Sequence, residues 1–202
     1  MCSIDSESEN KVLKESFFPI SPVMTKGHFE ILVSSDETAS SHRFARTLKE
    51  LEIGDELAFK GGNYRLRYEG KDDPITFISF LASGLGISAA LQTLRGVLPE
   101  GDSTVVDTEL LWINENVDEY VCDKDVESLE YKFIEKCAVT RIVQRDLYGN
   151  DISRNKQVLD AVASYERGRI AVICAPSYLV SKAKQLYIDK GYPHDNVIAI
   201  GV

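Results

Sequence analysis

The chain has only four cysteines among 202 residues, and none of them forms a CxxC pair. Cys2, Cys122, Cys137 and Cys174 lack close partners in sequence, and the three histidines (His28, His42, His194) lie far apart. No zinc-ligand spacing emerges, so no metal site is expected. This cysteine usage fits a reducing compartment. Basic residues are also in deficit: 23 Lys and Arg stand against 32 Asp and Glu, a net charge of −9. An acidic chain repels phosphate backbones and gains nothing at an anionic membrane, which argues against nucleic acid as a partner. Long apolar runs are absent too. The longest candidate, Phe77 to Leu94, is interrupted by Ser79, Ser83, Gly84, Gly86, Ser88 and Gln92, short of the ~20 residues that span a bilayer. The first 14 residues lack both the apolar core of a secretory signal and the Arg-rich character of a transit peptide. The expectation is a soluble protein of the cytoplasm or of an organelle interior such as the mitochondrial matrix or plastid stroma.

What remains is ordinary globular material, 44% hydrophobic and 27% charged, long enough for one domain or two small ones. Residues 1–14 read as a disordered leader of Ser, Asp, Glu and Asn. Strands are expected over Glu15–Ser21, His28–Val33, Glu56–Lys60 and Tyr64–Tyr68. A short helix fits Ser41–Leu51, whose apolar Phe44, Ala45, Leu48 and Leu51 share a face. Residues 15–70 therefore read as mostly antiparallel β. Lys71-Asp-Asp-Pro74 is a polar break. Beyond it, over residues 75–202, the rhythm changes. Buried strands are expected at Ile75–Leu81, Glu109–Ile113, Ala138–Val143, Arg169–Cys174 and Asn196–Ile200. Helices are expected at Ser88–Val97, Asp123–Ile134, Arg154–Ala163 and Ser177–Lys190. Strands alternating with helices at this spacing imply βαβ units and an α/β domain with a parallel sheet.

Three segments of that second half carry a family pattern. They are Phe80-Leu-Ala-Ser-Gly-Leu-Gly-Ile-Ser-Ala-Ala-Leu-Gln-Thr-Leu-Arg95, Val143-Gln-Arg145, and Val172-Ile-Cys-Ala-Pro-Ser177 followed by Lys190-Gly-Tyr-Pro193. In this order they resemble the ferredoxin–NADP reductase superfamily, in its cytochrome b5 reductase-like branch. Upstream, Phe17-Phe-Pro-Ile-Ser21, Gly27-His-Phe-Glu-Ile-Leu-Val33, Leu51-Glu-Ile-Gly-Asp55 and Lys60-Gly-Gly-Asn-Tyr64 resemble the later part of that family's flavin-binding β-barrel. The resemblance implies an NAD(P)-binding-type α/β domain preceded by a partial flavin-binding barrel.

It also implies roles. Gly84, Leu85, Gly86, Ile87 and Ser88 would hold a pyrophosphate at a helix N-terminus. Arg145 would meet a 2′-phosphate, although Gln144 stands where the family has Ser. Cys174, Ala175 and Pro176 would frame the nicotinamide, with Cys174 beside the departing hydride, and Phe17 would touch the flavin. Without the resemblance these residues have plainer readings: a tight strand-to-helix turn, a small buried cysteine and a surface arginine.

Departures fall on the chemistry. Glu15, Phe17 and Phe18 occupy the flavin signature, and Glu15 puts a negative charge where the family has Arg. At ~4 Å and an effective dielectric of ~20 such a reversal is worth several kcal/mol. His42-Arg-Phe-Ala45 replaces the second flavin segment, Leu85 the family Thr, Ala89 a Pro, and Ala175 a Gly. NAD(P)H is the implied cofactor, and these changes count against FAD. Family members also carry more strands ahead of the first flavin motif, so a protein partner is expected to cover the incomplete barrel. Two functions follow: a reductase module passing hydride from NAD(P)H through a flavin to an acceptor, or a non-catalytic, reductase-like subunit of a larger redox complex. A third reading is an α/β domain with no nucleotide at all. Trp112 is expected in the core. The acidic stretch from Glu115 to Glu130 reads as a solvated helix face or a docking face for a basic partner.

Overall fold

The computed structural model describes residues 2–8, 11–22, 25–34, 42–61, 74–98, 106–147 and 149–201. The expected strand Tyr64–Tyr68 lies outside them. The chain divides into two compact units, Met1–Arg67 and Tyr68–Val202.

In the first unit, β1 (Cys2–Ser8) and β2 (Lys11–Phe17) form an antiparallel hairpin, and β3 (Ala58–Gly61) pairs with the other edge of β1. Within the stretch expected to be a disordered leader, Cys2–Ser8 and the start of β2 thus belong to a three-stranded sheet, of order β2-β1-β3. The backbone ladder supplies what the polar composition hid, because each rung satisfies main-chain groups whatever side chains stand beside it. The strand expected over His28–Val33 is reduced to one bridge between Pro19 and Ile31, with Ile20 donating to the Glu30 carbonyl at 2.8 Å. Pro19 has no N–H to extend that ladder. The expected helix appears as α1 (His42–Glu50). Its Phe44 meets Phe17 in a small core with Ile31, Val33, Leu48 and Leu57 around them.

The second unit is the α/β domain. Its elements run β4 (Phe77–Ala82), α2 (Gly86–Val97), β5 (Asp107–Asn114), α3 (Asp123–Lys132), β6 (Cys137–Val143), α4 (Lys156–Ala161), β7 (Arg169–Ala175), α5 (Ser177–Asp189) and β8 (Val197–Gly201). All five strands are parallel, in the order β6-β5-β4-β7-β8. The central strands β4 and β7 are buried almost end to end, as their near-continuous apolar runs require. Alternation sorts the faces. Leu81, Leu111, Ile113, Ile142, Ala171 and Ile173 share a core with Leu179, Ala183 and Leu186 of α5. The opposite face carries Phe80, Leu110 and Trp112, all buried.

One polar residue of β4 faces the α5 side. Ser79 bonds both Glu109 Oε1, at 2.6 Å, and the Tyr187 hydroxyl, at 2.7 Å. Burial pushes the Glu109 carboxyl up, and the Ser79 bond opposes that shift.

Among the described residues no helix is long and apolar enough to cross a membrane. No cluster of three or more metal-ligating side chains occurs among them either.

Candidate functional site

From β4 the chain builds outward to β5 and β6 on one side, then returns to lay β7 and β8 on the other. The topological switch therefore falls between β4 and β7, and the crevice beyond the carboxyl ends of these strands is where open α/β sheets take ligands.

Ser83, Gly84 and Leu85 leave β4 at this point and α2 starts at Gly86. Gly84 sits at φ +55°, a left-handed conformation that turns the strand into the helix. Gly86 meets a different constraint. A Cβ placed on it would lie 1.8 Å from the carbonyl oxygen of Cys174 and 2.4 Å from its carbonyl carbon. Only glycine lets α2 start this close to the end of β7. Ser83 N–H also donates to the Cys174 carbonyl, at 3.1 Å. The first turn is closed by backbone bonds from Gly86 to Ser83, Ile87 to Gly84 and Ser88 to Leu85. Ser88 Oγ donates to the Leu85 carbonyl at 2.7 Å, so this hydroxyl serves the loop itself. Ile87 is buried, whereas Leu85 is 36% exposed.

Across the switch point, Cys174 and Ala175 are fully buried and Pro176 is half-buried at the start of α5. In register, Cys174 lies level with Ala82 on β4 and Ile200 on β8. Its thiol, enclosed in apolar surroundings, is pushed up to about 12. At neutral pH it is therefore a protonated thiol and not a nucleophile.

The structure thus brings the turn that opens α2 against the Cys174 end of β7, with Ala175 and Pro176 following it. Arg145 follows β6 and is exposed, and Asn150 Nδ2 donates to its carbonyl at 3.1 Å. Beside it, the Gln144 side chain is held by Asn155 Nδ2 at 2.9 Å. Gln144 and Asn155 line a polar cavity of about 460 Å³ with Asn150, Asp151 and Arg154. Phe17, in the other unit, is 8% exposed, its ring centroid 5.3 Å from that of Phe44.

Sequence reasoning missed Asn114, and of Glu115 it saw the charge but not the loop contact. Asn114 ends β5 fully buried. Its Oδ1 accepts the Gly84 N–H at 2.9 Å and its Nδ2 donates to the Glu119 carbonyl at 3.1 Å. Glu115 Oε1 accepts the Leu147 N–H at 2.7 Å, while Glu119 accepts from Glu115 N–H and Asn116 Nδ2. Farther along the acidic stretch, Asp123 and Glu130 pair with Arg141, and Asp125 pairs with Arg95. Much of this charge serves the fold internally. Glu115 and Glu119 lie near enough to Tyr178, in the first turn of α5, to add to the rise that burial imposes on its hydroxyl.

No protein-family model matches the chain. It is 23% identical to the NADH nitrate reductase of Ulva prolifera over 92% of its length, and 23% identical to an NADH-cytochrome b5 reductase 1 of Cryptococcus neoformans over 95%. It spans 24% of the former protein and 67% of the latter. In three dimensions it resembles the cytochrome b5 reductase domain of Ulva prolifera nitrate reductase, with a TM-score of 0.78 at 20% identity, covering 98% of this chain and 83% of that one. It likewise resembles the ferredoxin–NADP+ reductase of Plasmodium falciparum, with a TM-score of 0.71 at 15% identity, covering 100% and 81%.

This is the fold of the ferredoxin–NADP reductase superfamily. Its relatives place the resemblance in the cytochrome b5 reductase branch. The α/β unit with its parallel sheet and the unclosed β-sheet before it agree with the fold class read from the sequence.

Proposed function

We propose that this chain is the NAD(P)H-handling module of a ferredoxin reductase-type oxidoreductase. The observation that carries this reading is the approach of Gly86 to the Cys174 carbonyl at the switch point. There a side chain would collide with the main chain at the end of β7, so glycine lets α2 begin hard against that strand end, and the positive-φ Gly84 turns β4 into the helix whose N-terminus would take the anion. These residues fit a dinucleotide. Gly84–Ser88 would face its pyrophosphate, Ala175 and Pro176 would border the nicotinamide, and Arg145 with the cavity beside Gln144 would take the adenosine end. The bound nucleotide would supply hydride. The protein would supply position and a crevice beside the strand ends.

Flavin fits this chain less well. Phe17 packs against Phe44 in the core instead of offering a ring face, Phe18 and Ala45 are buried, and Glu15 keeps its half-buried place in the flavin signature. We therefore place the flavin, and the acceptor it serves, outside the grip of this chain's own residues, in a larger assembly.

A second reading, a non-catalytic reductase-like subunit, draws on the enclosed Cys174 thiol and the buried Phe17. One pair of experiments separates the two. Purified chain is titrated with NADH and NADPH by calorimetry, and its absorbance is read before and after reconstitution with FAD. Saturable nucleotide binding supports the first reading even where the protein stays colourless. Absence of binding by either nucleotide leaves the subunit reading.

A further inference from the structure

We propose that Asn114 is a positioning residue for the dinucleotide loop, a role that rests on the reading above. Asn114 closes the apolar run Leu110-Leu-Trp-Ile-Asn114, at the end of β5 next to β4. A fully buried amide at such a place must find partners for all its groups. Three of its groups reach three different loops. Oδ1 takes the Gly84 N–H, Nδ2 gives to the Glu119 carbonyl, and the main-chain carbonyl takes the Gln144 N–H at 2.9 Å. One residue thus ties together the turn that would face the pyrophosphate, the loop bearing Glu115 and Glu119, and the segment leading to Arg145.

The bond to Gly84 has a further consequence. Gly84 stands at φ +55° with open space around its α-carbon, so side-chain packing does not fix its conformation. The Asn114 amide holds its N–H side, and the Ile87 N–H holds its carbonyl. Without Asn114 the turn loses the anchor that reaches it from outside the β4–α2 segment, and the loop leading into α2 loses its fixed place. A fixed loop is what an anion at a helix N-terminus requires.

The test compares Asn114→Ala with Leu110→Ala, a core truncation in the same strand away from the loop. For each protein, NADH affinity is measured by calorimetry and the exchange of the Gly84 amide by NMR. The expected result for Asn114→Ala is about a tenfold loss of NADH affinity, the value of one well-aligned hydrogen bond, with Gly84 exchange accelerated. Leu110→Ala should lower stability while leaving both readings near wild type. Equal losses in the two variants, or none in Asn114→Ala, overturn the proposal. If Asn114→Ala does not fold, the wild-type protein decides: a protected Gly84 N–H supports the proposal and free exchange there refutes it. If wild-type protein binds no NADH, the functional reading fails. The Gly84 exchange rates of wild type and variant then still decide whether Asn114 sets the loop.

Discussion

Gly86 rests against the carbonyl of Cys174 so closely that a methyl group on its α-carbon would lie 1.8 Å from that oxygen. The atoms in the way belong to main chain at the end of β7, so no side-chain rotation can relieve the overlap. Gly84, two residues earlier, has nothing within 4 Å of the place a methyl group would take, and only its left-handed backbone opposes substitution. The two glycines should therefore behave differently. Gly84→Ala is expected to cost about 1 kcal/mol of stability from backbone strain. Gly86→Ala should cost ~3 kcal/mol and displace α2 from β7. Urea denaturation of both variants checks the order, and equal costs would contradict the geometry.

Cys174 should resist alkylation in the native protein. Its thiol is enclosed and pushed up to about 12, so the thiolate is scarce at neutral pH. Mass spectrometry after brief iodoacetamide treatment should find Cys174 unmodified until denaturant is added. Fast native labelling there would mean that the crevice reaches the sulfur.

Glu109 predicts a pH dependence. Burial raises its carboxyl above the ordinary range, against the lowering influence of Ser79, the Ala163 N–H, Arg169 and Lys190. A carboxyl raised in the folded state binds its proton more tightly there than in the unfolded chain. Its contribution to stability is thus fully present below the unfolded value and is lost as pH rises through the folded one. Glu109→Gln keeps an acceptor for Ser79 and removes the buried charge. It should stabilise the protein at neutral pH and flatten this part of the stability–pH curve, measured by denaturation at several pH values.

Much of the α/β unit was legible in the sequence because its signals are local. Phe77–Ala82 and Arg169–Ala175 are apolar enough to need cover on both faces, and Gly84-Leu-Gly86 marks the strand-to-helix turn. The first unit was harder. Cys2–Ser8 is polar, and its strand is held by pairing with Lys11–Phe17 and Ala58–Gly61, a relation between distant segments. At the site, the glycines could be named from pattern, whereas Asn114 could not. Its role lies in three bonds to three loops, and the one clue in sequence is an amide closing an apolar strand. The pairing within the acidic stretch was hidden for a similar reason, since the partners of Asp123, Asp125 and Glu130 are arginines on other elements.

The central claim is that the β4–β7 switch point receives a dinucleotide, and amide chemical-shift mapping of labelled protein during NADH titration tests it most directly. Saturable shifts should concentrate at Gly84–Ser88 and at Ala175 and the first turn of α5. Shifts that leave these amides unmoved, at concentrations where NADH binds elsewhere or not at all, would contradict it.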